Sequence, residues 1–203
     1  MQIDKVVLRS ILNTLAAIAV LFVSLMLTLI LIFPSTMMGI TYDLGMDNAS
    51  VYFAKTAYKR SGEVYYIAFA TETAIGVKST EKIDACGELL ILDEDFSDYC
   101  AVQDEKLSAK NGTYRNYIYS NYCLAVYEEE GGAKAAQIAI EETGNSFAKG
   151  NPVSVILVYA MSKNEKDVVQ TLYTAMQAIT VSDDAEAASL NELMQFASSY
   201  LSE

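Results

Sequence analysis

The sequence predicts an all-α protein: a single N-terminal transmembrane helix, then antiparallel helical hairpins. Three observations carry this. Residues Ser10 to Tyr42 form a run of 33 without one charge. The chain has only two prolines, Pro34 and Pro152. Beyond the run, apolar residues fall three and four apart, as in Val51, Ala54, Ala57 and Tyr58 or around Ile138 and Ala139, which places them on one stripe of a helix.

Residues 1–10 read as a short cytoplasmic segment. Residues 11–33 supply 23 mostly aliphatic positions, and a bilayer core of about 30 Å needs roughly 20 helical residues to cross it. Lys5 and Arg9 precede the span, whereas Asp43 and Asp47 follow it, so the positive-inside rule puts the N-terminus in the cytoplasm and the C-terminal domain outside the cell membrane. The span reads as an uncleaved signal-anchor, because a signal-peptide core is about 7–15 residues and no A-x-A-like site follows here. Ser10, Asn13, Thr14, Ala17 and Ser24 give it a small and polar face, with Asn13 suited to an interhelical hydrogen bond. Pro34 closes the apolar run, and 34–46 read as a linker.

From residue 47, turn signals come at Ser61-Gly62, Asp93 to Asp95, Asn111-Gly112, Gly131-Gly132, Gly144-Asn145, Gly150-Asn151-Pro152, Lys163-Asn164 and Ser182 to Asp184. They cut 47–182 into eight helices, with 183–203 as a capping helix. Cap residues agree: Asp47 or Asn48 for the first, Ser79-Thr80-Glu81 for the third, Thr113 for the fifth, and Ser182-Asp183-Asp184 for the last. Short turns make neighbouring helices antiparallel.

Composition excludes several functions. Beyond the span 25 acidic residues face 12 basic ones, a net −13, which argues against nucleic acid as a partner. There is no histidine, so Ser-His-Asp and Cys-His nucleophile arrangements and imidazole zinc sites are all missing. No D-x-D-x-D-G loop points to calcium. The expectation is a protein that is not an enzyme, with no cofactor, no metal and no small-molecule substrate.

An internal period adds organisation. Tyr58 ends one helix, Gly62 turns the chain, and Ala68, Ala70 and Ala74 follow on the next; Tyr127, Gly131, Ala136 and Ala139 repeat the design 69 residues later, and Asn164 lies 33 residues beyond Gly131. A period near 34 with two helices per unit marks a helical repeat array. These residues resemble the tetratricopeptide repeat family. The resemblance covers 47–182 as four units (47–79, 80–112, 113–147 and 150–182). It departs from the family in lacking Trp, in Lys55 and Leu124 at a usually small position, and in having no repeat-closing Pro. It implies a stacked α-solenoid whose first helices line a protein-binding groove, with Tyr52, Thr56, Lys59, Asn121, Ala125 and Tyr159 on that face.

Cys86 and Cys100 flank the Asp93 turn symmetrically, seven residues either side. In a closed hairpin they would stand level, so a disulfide and a pair of buried thiols both fit. Cys123 reads as a core residue. Asn48-Ala-Ser50 and Asn111-Gly-Thr113 match the glycosylation pattern. Tyr114, Tyr117, Tyr119 and Tyr122 crowd one helix, so one or two of them must face a surface. The functional expectation is a membrane-anchored, extracytoplasmic scaffold binding a protein partner of the cell envelope. The alternatives are an accessory subunit of a membrane complex, held mainly through its span, and a ligand-sensing ectodomain.

Overall fold

The computed structural model describes residues 5–106, 113–144, 147–181 and 183–203, and among them every regular element is a helix. The Asn111-Gly112 turn with its sequon asparagine, Asn145 and Ser182 lie outside the described residues.

Helix α1 (Lys5–Ile32) contains one stretch, Val7–Ile32, long and apolar enough to cross a membrane. Its two threonine hydroxyls bond within the helix: Thr14 Oγ1 donates to the Ser10 carbonyl at 3.0 Å and Thr28 Oγ1 to that of Ser24 at 2.9 Å. Pro34 does not open a linker. It is the first residue of α2 (Pro34–Asp43), where proline's fixed φ suits a helix start and its missing N–H costs nothing. Pro34, Met37, Met38 and Thr41 recur at helical spacing and are buried, and α2 packs along α3 (Asp47–Ser61). That apolar stripe is what turns the expected linker into structure.

Met46, not Asp47 or Asn48, stands at the N-cap of α3, and Asp47 falls in the first turn, where its charge suits the helix dipole. Gly62 ends α3 at φ 73°, a left-handed conformation that glycine adopts without strain. Then follow α4 (Val64–Gly76), α5 (Thr80–Ile91), α6 (Phe96–Lys106), α7 (Tyr114–Glu130), α8 (Gly132–Thr143), α9 (Pro152–Lys163), α10 (Lys166–Ala178) and α11 (Asp184–Ser202). Side-chain caps start three of them. Thr113 accepts the Asn116 N–H at 3.1 Å, Asn151 that of Ser154 at 2.9 Å, and Asp183 those of Ala185 and Glu186 at 2.9 Å.

Most helices pack on their chain neighbour, and α5 also packs on α7, α7 on α9, α8 on α10 and α9 on α11. Two apolar cores result, both served by α7. Its Ile118, Tyr119 and Ala125 join Ile67, Cys86 and Leu90 on one side, while Cys123, Val126 and Tyr127 join Ile156, Leu157, Leu172 and Met176 on the other. Polar contacts tie the segments: Tyr58 Oη donates to Asp93 at 2.6 Å, Tyr114 Oη to Glu72 at 2.6 Å, and Arg115 pairs with Glu142 at 2.6 Å.

The α5 and α6 pair breaks the hairpin pattern. α5 lies between α4 and α7, whereas α6 packs on α7 and the edge of α4, and the two share no extended contact. The premise that Cys86 and Cys100 stand level across a closed hairpin therefore fails. Both are free and buried, as is Cys123. Burial pushes the Cys100 thiol up to about 11 and Cys123 to about 12, which leaves neither a ready nucleophile.

Candidate functional site

An open groove in the C-terminal half is formed by α9 and α11, with Leu124 of α7 contributing to one wall. It consists of two adjoining depressions of about 510 and 490 Å³ that share Val158 and Leu193. Its apolar surface comes from Leu124, Val155, Val158, Leu193 and Phe196; Ser154, Ser162, Ser189, Ser199, Glu192 and Gln195 form the polar rim.

Local sequence explains why this surface is apolar yet open. The segment Val153-Ser-Val-Ile-Leu-Val-Tyr-Ala-Met161 is hydrophobic nearly all round the helix. Val153, Ile156, Leu157 and Ala160 take the core, which leaves Val158 facing out with 52% of its surface exposed. On α11, Leu190 and Ala197 are buried and Phe196, one position away, is 58% exposed. Val158 and Phe196 line the same depression, so their exposed surfaces lie together rather than scattered.

One end of the groove is polar. Tyr159 Oη donates to Glu128, Lys163 Nζ pairs with the same carboxylate at 2.9 Å, and the Lys163 ammonium lies 5.1 Å from the Tyr159 ring centroid. The hydrogen bond from Tyr159 and the ammonium of Lys163 hold the Glu128 carboxyl below its ordinary pKa. Tyr127 meets Tyr159 edge to face at 5.1 Å, and its buried hydroxyl finds no hydrogen-bond partner among the described residues. Burial and the neighbouring Glu165 carboxylate raise the pKa of that hydroxyl. The cluster stiffens Tyr159 and sets one anion and one cation beside an apolar surface.

The structure separates the six residues expected on one face. Tyr159 lines the groove. Asn121 is half-buried, donates to the Tyr117 carbonyl at 2.8 Å, and shares a stripe with Leu124 and Glu128. Ala125 does not lie there: it is 1% exposed and belongs to the core. The physical reason is register. From Asn121 the outward stripe continues through Leu124, and a step to 125 rotates about 100° further, into the core. Tyr52, Thr56 and Lys59 share a separate stripe on α3, outside the groove lining; Tyr52 and Lys59 are exposed, and the Thr56 hydroxyl donates to the Tyr52 carbonyl at 2.9 Å. Of the four crowded tyrosines, Tyr114, Tyr119 and Tyr122 are buried and Tyr117 is 45% exposed.

Sequence reasoning missed Val158, Leu193 and Phe196. A usable signal existed at Val158, since a helix apolar all round at the edge of an acidic domain has more hydrophobic surface than one core absorbs. Among the described residues no three Cys, Asp or Glu side chains gather as a metal site. The chain matches no protein-family profile, no curated protein and no solved structure.

Proposed function

We propose that this chain is a membrane-anchored scaffold whose helical hairpins stack as a tetratricopeptide-like solenoid outside the cytoplasmic membrane and hold a protein partner in the α7, α9 and α11 groove. The observation that carries the reading is the open apolar surface of Val158, Leu193 and Phe196 beside the Tyr159, Glu128 and Lys163 cluster. It suits an amphipathic helix or extended segment that brings an apolar stripe flanked by polar groups. The packing of α7 on α9, α8 on α10 and α9 on α11 supports stacking of the last two units and the final helix. Lys5 and Arg9 before the span support the orientation.

The accessory-subunit reading also has an observation behind it. From Val7 to Leu25 every side chain is exposed, whereas Leu29 and Ile30 at the far end pack on the fold, so most of the span is open to another membrane helix.

A photoreactive amino acid placed at position 196 in cells tests the groove. The expected result is a discrete adduct that is lost with Val158→Asp and not obtained from Lys134, which lies on α8 outside the groove lining. An apolar anchor at the centre of an interface is worth about 2 kcal/mol or more, roughly thirtyfold in affinity. If the adduct survives Val158→Asp but disappears when 11–33 is replaced by a generic apolar helix, the span is the contact and the groove reading fails.

A further inference from the structure

Helix α3 has 15 residues and its antiparallel neighbour α2 has 10. At 1.5 Å per residue, α3 therefore overshoots the start of α2 by about 7 Å. Its last turn reaches back to the end of α1. There Arg60 Nη1 donates to the Leu31 carbonyl at 2.5 Å, and Leu29 and Ile30 pack against the N-terminal core. The turn between α3 and α4 is thus held at the exit of the apolar stretch.

We infer that this turn, residues 59–66, is a membrane-docking tip on which Lys59 and Arg60 engage anionic lipid headgroups while Tyr65 beds in the interfacial layer. The inference rests on α1 crossing a bilayer. Lys59 and Arg60 are both exposed and stand side by side; Glu63 is the one acidic residue in the turn. Charge argues for lipid as the occupant. The chain beyond the span carries −13, so an anionic surface repels it as a whole, and a basic pair continuous with the span selects which end approaches within a Debye length of about 8–10 Å. Aromatic placement agrees. Tyr65 is 49% exposed, meets Tyr66 edge to face at 5.5 Å and lies 6.4 Å from Phe69, while Phe33 at the helix exit is 50% exposed. Tyr rings with apolar bodies and polar tips collect at this depth of a bilayer.

The tip has a mechanical consequence. One helix leaving a membrane through a flexible linker lets its domain tumble, whereas a second contact beside the exit fixes the domain's tilt and therefore the direction in which the remaining helices project.

The full chain is placed in lipid nanodiscs of phosphatidylcholine alone or mixed with phosphatidylglycerol, and Ser61→Cys is labelled with a fluorophore, the three native thiols being buried. Quenching by aqueous iodide is the readout. The label should be shielded in the anionic discs and more accessible in the zwitterionic ones. Lys59→Gln and Arg60→Gln should each shift the docked population about fivefold toward the exposed state, the effect of one basic residue at an anionic surface. Equal quenching in both discs, or neutral variants that behave as the parent, overturns the docking. A chain that does not co-elute with the discs overturns the membrane reading on which it depends; a chain that co-elutes with its label fully aqueous overturns only the tip.

Discussion

Gly87→Ala offers the sharpest test of how the two halves of the domain meet. Gly87 faces α7 from the middle of α5, and a Cβ built there would lie 2.8 Å from Tyr122 Cδ2, 3.3 Å from Cγ and 3.4 Å from Cβ. These atoms are the root of a ring that is 6% exposed, so the side chain cannot swing clear and α7 itself must move. Two effects oppose each other. Alanine gains about 0.8–1 kcal/mol over glycine within a helix, while overpacking a close contact costs about 1–3 kcal/mol. Because the clash involves anchored atoms, the upper part of that range applies, and the net expectation is a loss of about 1–2 kcal/mol. The sign should reverse in a Tyr122→Ala background, where the same Gly87→Ala change stabilises by up to about 1 kcal/mol, since only helix propensity remains. Urea unfolding of the detergent-solubilised full chain, followed by circular dichroism, measures all four corners of the cycle. A Gly87→Ala protein as stable as its parent would refute the direct approach of α5 to α7.

Two further expectations follow from the buried ionisable groups. Thiol titration should find three free thiols in denaturant and slow reaction in the folded protein, with no loss of stability on adding reductant; two equivalents missing from protein purified from its native compartment would restore the Cys86 and Cys100 bridge. Stability should also fall at alkaline pH. Burial raises Cys100 to about 11, and the hydrogen bond to Asp93, followed by burial, raises Tyr58 to about 12, so the folded state holds these protons more tightly than the unfolded one. Their contribution is complete below about pH 8 and drains away as pH climbs past the unfolded values of about 8.5 and 10 toward the folded ones. A urea midpoint at pH 10.5 equal to that at pH 7, in the presence of reductant, would contradict this.

The all-helical class and the apolar span were legible in the sequence because both depend on near neighbours along the chain. A charge-free run longer than a bilayer is thick, a three-and-four spacing of apolar residues, and glycine or asparagine where the backbone turns left-handed, as at Gly62 with φ 73° and Asn164 with φ 59°, are local facts. Cap residues Thr113 and Asp183 belong to the same class. Which faces meet is not local. Whether Pro34 ends a helix or begins one depended on Met37 and Met38 finding α3. Ala125 went inward and Leu124 outward because α7 serves two cores at once, a demand that a single apolar stripe does not reveal. Cys86 and Cys100 stayed apart because the Gly87 notch admits Tyr122 and draws α5 onto α7, leaving α6 to the side. The groove combines α7 with α9 and α11, whose residues lie up to about 75 positions apart, and Arg60 reaches the end of α1 because α3 outruns α2. In each case burial of large side chains against distant partners outweighs the preferences of any short segment, so only the tertiary structure could decide it.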